Sequence, residues 1–99
     1  MSVTTKLPMP SPMRDIHIMA SPALWSEWPF LPMVRRSHGE PELGLLFDAS
    51  AIPGLTGYRC TVWMANLFLL PRGLDAFLSL PKEVFDTFEE VAEAGWRVD

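Results

Sequence analysis

Apolar and polar positions along the chain change period several times, and each change marks an element. Between Tyr58 and Leu70 the even positions Tyr58, Cys60, Val62, Met64, Phe68 and Leu70 are interrupted only by Asn66. The odd positions begin with Arg59 and Thr61 and end with Leu67 and Leu69. This alternation predicts a long strand that starts at the surface and ends covered on both faces. Its Tyr, Thr, Val and Trp content favours a strand over a buried helix. Ile16 and Ile18 alternate with Asp15 and His17, which predicts a short half-buried strand over 14–19. Phe30 to Arg36 and Leu43 to Asp48 read as an antiparallel hairpin across the turn residues His38, Gly39, Glu40 and Pro41. Pro32 removes a ladder donor and so predicts an edge or irregular strand. Trp96 to Asp99 alternates again and predicts a last short strand.

Helical spacing governs the remainder. Ser21 is a good N-cap, Pro22 suits a first helical position and Pro29 forbids continuation. Two turns are expected there, with Leu24, Trp25 and Trp28 on one face. Leu74, Phe77 and Leu78 predict a second short helix, which ends near Leu80 before Pro81. The best-marked helix follows. Thr87 and Glu90 form a capping box, Asp86 and Glu89 offer the same device one residue earlier, and Gly95 supplies a left-handed stop. Phe88, Val91 and Ala92 are expected inward, and Glu89, Glu90 and Glu93 outward. Pro53-Gly54 and Gly57 make 49–57 a loop. Pro8, Pro10 and Pro12 make residues 1–13 a flexible proline-rich tail, leaving 14–99 as a single globular domain. The expected fold is α+β: a small antiparallel sheet of three to four strands, short helices covering one face, and a C-terminal acidic helix.

Composition narrows the functional classes. At 99 residues and 48% hydrophobic, with four Trp and six Phe, the chain has enough apolar bulk for one core. Cys60 is the single cysteine, so no intramolecular disulfide forms. No apolar leader follows Lys6, and the most apolar stretch, Val62 to Leu70, is too short for a bilayer span. The expectation is a cytoplasmic protein without a membrane partner. The net charge of -4 is local: 82–99 holds six acids against two bases, while 1–81 holds six of each. That balance argues against non-specific binding to nucleic acid or to an anionic membrane.

Candidate chemistry is sparse. His17, His38 and Cys60 fall on separate elements without CxxC or HxxxH spacing, so neither metal nor cofactor is expected. Cys60 lies on an apolar strand face and reads as a core thiol. No G-x-S-x-G elbow, Walker loop or dinucleotide fingerprint is present, and the chain reads as non-enzymatic. Were a site to assemble across a dimer, Asp15, His17, His38 and Glu40 would be its first components. Arg35 and Arg36 form the only basic cluster, with Trp25 and Trp28 nearby as stacking groups or as core. Asn66, if buried, must find hydrogen-bond partners; it could pin a turn or loop backbone, or equally sit where the strand leaves the sheet. Short strands and Pro32 leave edges compatible with a homodimer.

The function expected is a protein-interaction module, an accessory subunit or inhibitor. Its acidic face (Glu89, Glu90, Glu93) would engage a basic, nucleic-acid-binding partner, with Trp25, Trp28, Arg35 and Arg36 as the other contact residues. The alternative is a small nucleic-acid-binding domain that uses Arg35, Arg36, Trp25 and Trp28 directly.

Overall fold

Alternation and turn chemistry build the predicted hairpin, β1 (Phe30–Arg35) and β2 (Glu42–Phe47), and the sheet extends from both of its sides. The computed structural model describes residues 11–36 and 39–99. β1 and β2 pair from Phe30↔Phe47 to Arg35↔Glu42. β5 (Trp96–Val98) joins the free side of β1, β3 (Thr61–Trp63) joins β2, and β4 (Lys82–Val84) joins β3, always antiparallel. The order is β4-β3-β2-β1-β5, five strands where three to four are expected. The strand that patterning misses is β4, whose three residues follow Pro81 without an apolar stripe.

Both faces of this sheet are covered, rather than one. Leu31, Met33, Leu46, Val62 and Trp96 line the first face. They meet Met19 of α1 (Ser11–Met19), Trp25, and Phe88, Val91 and Ala92 of α3 (Phe88–Glu93). On the second face Leu45, Phe47 and Trp63 pack on Phe77 of α2 (Leu74–Leu78). Trp63 stacks on Phe77 at 4.8 Å between ring centroids, and Phe47 meets Trp63 edge-on at 6.2 Å. Aromatic bulk on a small sheet thus fills two thin cores, each sealed by short helices and loops.

Pro32 lies in an interior strand, not at an edge. Its carbonyl accepts the Asp99 N–H at 3.0 Å, so in extended backbone its nitrogen faces the same side, beyond the last residue of β5. The missing donor therefore costs β1 no bond to β2. Residues 14–19 are helical, correcting the strand expected there. Asp15 and Met19, four apart, both turn inward, at 3% and 0% exposure. The Asp15 carboxylate takes the Val98 N–H at 3.1 Å, a contact available from a helix face and not from alternation. This helix starts at Ser11, within the segment expected as tail; residues 1–10 of that segment lie outside the described residues.

The long strand over 58–70 is also corrected, to Thr61–Trp63 alone. Gly57 and Tyr58 both have positive φ, 84° and 64°, which no strand adopts. Beyond Trp63 the Asn66 carboxamide accepts the Phe68 N–H at 2.9 Å and opens a single 3-10 turn, Leu67–Leu69. Asn66 thus pins backbone, and Phe68 and Leu69 face outward, 89% and 78% exposed. The two turns expected after Ser21 reduce to one 3-10 turn, Pro22–Leu24, and the Ser21 side chain makes no capping bond. α3 matches its prediction. Thr87 Oγ1 accepts the Glu90 N–H at 3.1 Å, and Glu90 Oε1 accepts the Asp86 N–H at 3.0 Å, closing the box one residue before the cap. Gly95 stops the helix at φ 99°. No helix among the described residues is long and apolar enough to cross a membrane.

Candidate functional site

The contact residues expected from sequence divide into those the fold turns inward and those it leaves outside. Trp25 is core, and its indole N–H donates to the Ile18 carbonyl at 2.7 Å. Trp28, 52% exposed, donates instead to Asp48 Oδ2 at 2.8 Å. Burial pushes the Asp48 carboxyl upward, but bonds from the Ser50 hydroxyl, the Trp28 indole and the Ser50 amide hold it below its ordinary value. Arg36 is exposed beyond the end of β1. Trp28 precedes that strand, so roughly 20 Å of extended chain separates the two. Arg36 and Trp28 do not form one patch.

Arg35 is fully engaged. Its Nε and Nη2 meet the Glu42 carboxylate at 2.7 and 3.2 Å, and Nη1 and Nη2 meet Glu83 at 2.9 and 2.7 Å. The guanidinium carbon stands 4.4 Å from the centre of the Trp96 ring, and the indole N–H donates to Glu83 Oε1 at 3.1 Å. The hydrogen bonds to Glu42 and then Glu83 raise the Arg35 pKa well above its ordinary value. Both carboxyls are lowered, chiefly by the hydrogen bond from Arg35 and against desolvation. Planar two-sided recognition of carboxylates is what guanidinium geometry favours. Glu42, the cross-strand neighbour of Arg35, is the local acid. The hairpin register was its available signal, because Arg35 and Glu42 form the pair nearest the turn. Glu83 and Trp96 had no comparable local signal.

What remains outward is the acidic side of α3. Phe88, Val91 and Ala92 anchor the helix in the core, while Glu89, Glu90 and Glu93 are exposed. Ion pairs among the described residues join Arg35 to Glu42 and Glu83, and Arg14 to Asp15, so none neutralises these three. Asp86, also exposed, continues the acidic surface toward β4. Arg59 lies beside it with its guanidinium 5.2 Å from the Phe88 ring centre. Cys60 is buried, and burial raises its thiol pKa; Arg59 opposes that, while Glu89, Asp86 and Glu90 reinforce it. Such a thiol is a poor nucleophile at neutral pH.

Within one copy, Asp15, His17 and Glu40 of the suggested shared site are not brought together. Asp15 is committed to Val98, His17 and Glu40 are exposed on separate elements, and His38 lies outside the described residues. No group of three or more His, Cys, Asp or Glu among the described residues is arranged to hold a metal ion. A groove of about 650 Å³ runs beside Leu24, Leu31, Leu43, Leu67 and Phe68, an apolar surface the sequence patterning did not indicate. Compared with protein-family models, curated proteins and solved structures, the chain matches none.

Proposed function

We propose that the protein is a small non-enzymatic interaction module, an accessory subunit or inhibitor, whose α3 face engages a basic, nucleic-acid-binding protein. One observation carries this reading: Glu89, Glu90 and Glu93 point outward, none of them in an ion pair among the described residues, on a helix whose other side is locked in the core. A rigid run of like charge steers a basic partner and sets its orientation more than it adds affinity. Direct nucleic-acid contact is not part of the proposal, since the same charge repels phosphate and Arg35 is already clasped. No cofactor is called for. A cytoplasmic setting belongs to the proposal and rests on the lone buried thiol.

The test is affinity capture from the native host, followed by titration of the captured protein against wild type and Glu89→Gln/Glu90→Gln/Glu93→Gln. Glutamine at position 90 keeps the capping acceptor, so the helix survives the loss of charge. Affinity should fall by about tenfold and its salt dependence should flatten. Equal affinity and an unchanged salt slope would overturn the proposal.

A further inference from the structure

The two edges of the sheet are finished differently. On β5 the Asp99 N–H faces β1, bonding the Pro32 carbonyl, so Trp96 and Val98 direct their backbone groups outward. Side chains close that edge. Asp15 Oδ2 takes the Val98 N–H at 3.1 Å, and Arg97 Nη1 donates to the Trp96 carbonyl at 2.8 Å. On β4 the Pro81 carbonyl and the Phe85 N–H both face β3, bonding Met64 and Cys60. Lys82 and Val84 therefore direct their N–H and C=O groups away from the sheet, and among the described residues these groups find no partner. The Val84 side chain is 70% exposed. An open edge carrying an exposed β-branched residue is a template for another strand.

We propose that this strand is β4 of a second copy. A two-fold axis perpendicular to an antiparallel sheet must set one residue of the edge against itself, which leaves three registers within Lys82–Val84. A centre on Lys82 opposes lysine to lysine, and a centre on Glu83 opposes two glutamates, each already held by its own Arg35, and sets charged Lys82 against apolar Val84. Like charges directly opposite are destabilising. A centre on Val84 instead sets the two exposed valines together and places Lys82 opposite Asp86 of the partner subunit, twice. It also leaves the outward Val84 N–H and C=O free to bond their symmetry mates. Only this register is self-complementary in charge and in apolar surface. It joins two five-stranded sheets into one continuous sheet. So short an interface belongs to the weak, concentration-dependent class. The pairing is separable from the acidic-face reading: Glu89 and Glu93 take no part in it, and Glu90 enters only by holding the Asp86 N–H, which leaves Lys82 and Asp86 to pair through their side chains.

Sedimentation of the full chain from about 10 µM to about 1 mM tests the pairing. Wild type should shift from monomer to dimer, and the Val84 amide should gain exchange protection as concentration rises. Lys82→Glu, which faces Asp86 with a like charge, should weaken the dimer by about tenfold. Lys82→Glu combined with Asp86→Lys should restore it. Both positions are exposed, so an unfolding curve for each variant separates loss of pairing from loss of fold. A monomer throughout the range overturns the proposal. So does a dimer indifferent to the swap, or a Val84 amide protected at every concentration, which would mean the chain covers its own edge.

Discussion

The Trp96 indole packs directly against the backbone of Gly44. A Cβ built on Gly44 would stand 3.0 Å from Trp96 Cη2 and 2.6 Å from Val62 Cγ1. Gly44 is there for room, not for a left-handed backbone. The bare position lets an indole rooted in β5 lie over β2 and donate to Glu83 of β4.

Gly44→Ala should therefore destabilise the fold by about 1–3 kcal/mol, the usual cost of overpacking a close-packed core. Urea unfolding followed by tryptophan fluorescence measures it. Because the tighter clash is with Val62, adding Val62→Ala should recover part of the loss, giving a non-additive double-mutant cycle.

Arg35→Lys tests the clasp between strands. Lysine keeps the charge but cannot serve two carboxylates in one plane while lying over Trp96. A loss of about 1–2 kcal/mol is expected, below the figure for a fully buried pair because the Arg35 side chain is 18% exposed and its partners more so. Arg35→Ala should cost more, since Glu83 would keep only the indole N–H. Guanidinium unfolding distinguishes the two.

Acid should weaken the same clasp. Glu83 and Glu42 have native pKa values below the ordinary 4.5, so on acidification the unfolded chain binds protons first. Their stabilisation is complete above that ordinary value and is lost as pH falls through the depressed native values. Asp48 acts in the same sense below its ordinary 3.8. Unfolding free energy measured from pH 7 down to about 2 should stay flat above roughly pH 5 and then fall. Glu83→Gln should start lower at neutral pH and show a shallower acid limb.

These residues also show where sequence reasoning runs out. α3 was legible because its cap, apolar side and stop all lie within ten residues of one another, and each works without the rest of the fold. The hairpin and β5 were legible for the same local reason, and the hairpin's register carries Arg35↔Glu42 with it. Glu83 lies 48 residues from Arg35, so no local pattern could pair them. In α1 the inward face contains a charged residue, Asp15, which breaks the apolar stripe of a helix and leaves Ile16 and Ile18 to imitate a strand. Asn66 was visible as an interruption, but whether it caps a turn or sits within a ladder depends on what β2 offers alongside. The three outward glutamates were legible as a surface, and the unfinished β4 edge beside them was not.

Asp15 gives the last prediction. It is 3% exposed, and its carboxylate supplies the acceptor for an edge amide that would otherwise face outward unpaired beneath α1. Asp15→Ala removes that acceptor and leaves the Val98 N–H without it, which should cost about 1–3 kcal/mol. Asp15→Asn keeps a carbonyl oxygen at the same reach and should recover most of the loss. If Asp15 merely filled space, alanine and asparagine would instead rank by volume and the amide would be indifferent to both. Amide exchange at Val98 decides between these outcomes. Exchange should be fast in the alanine variant and slow in the asparagine variant, relative to residues of β2 whose ladder is untouched.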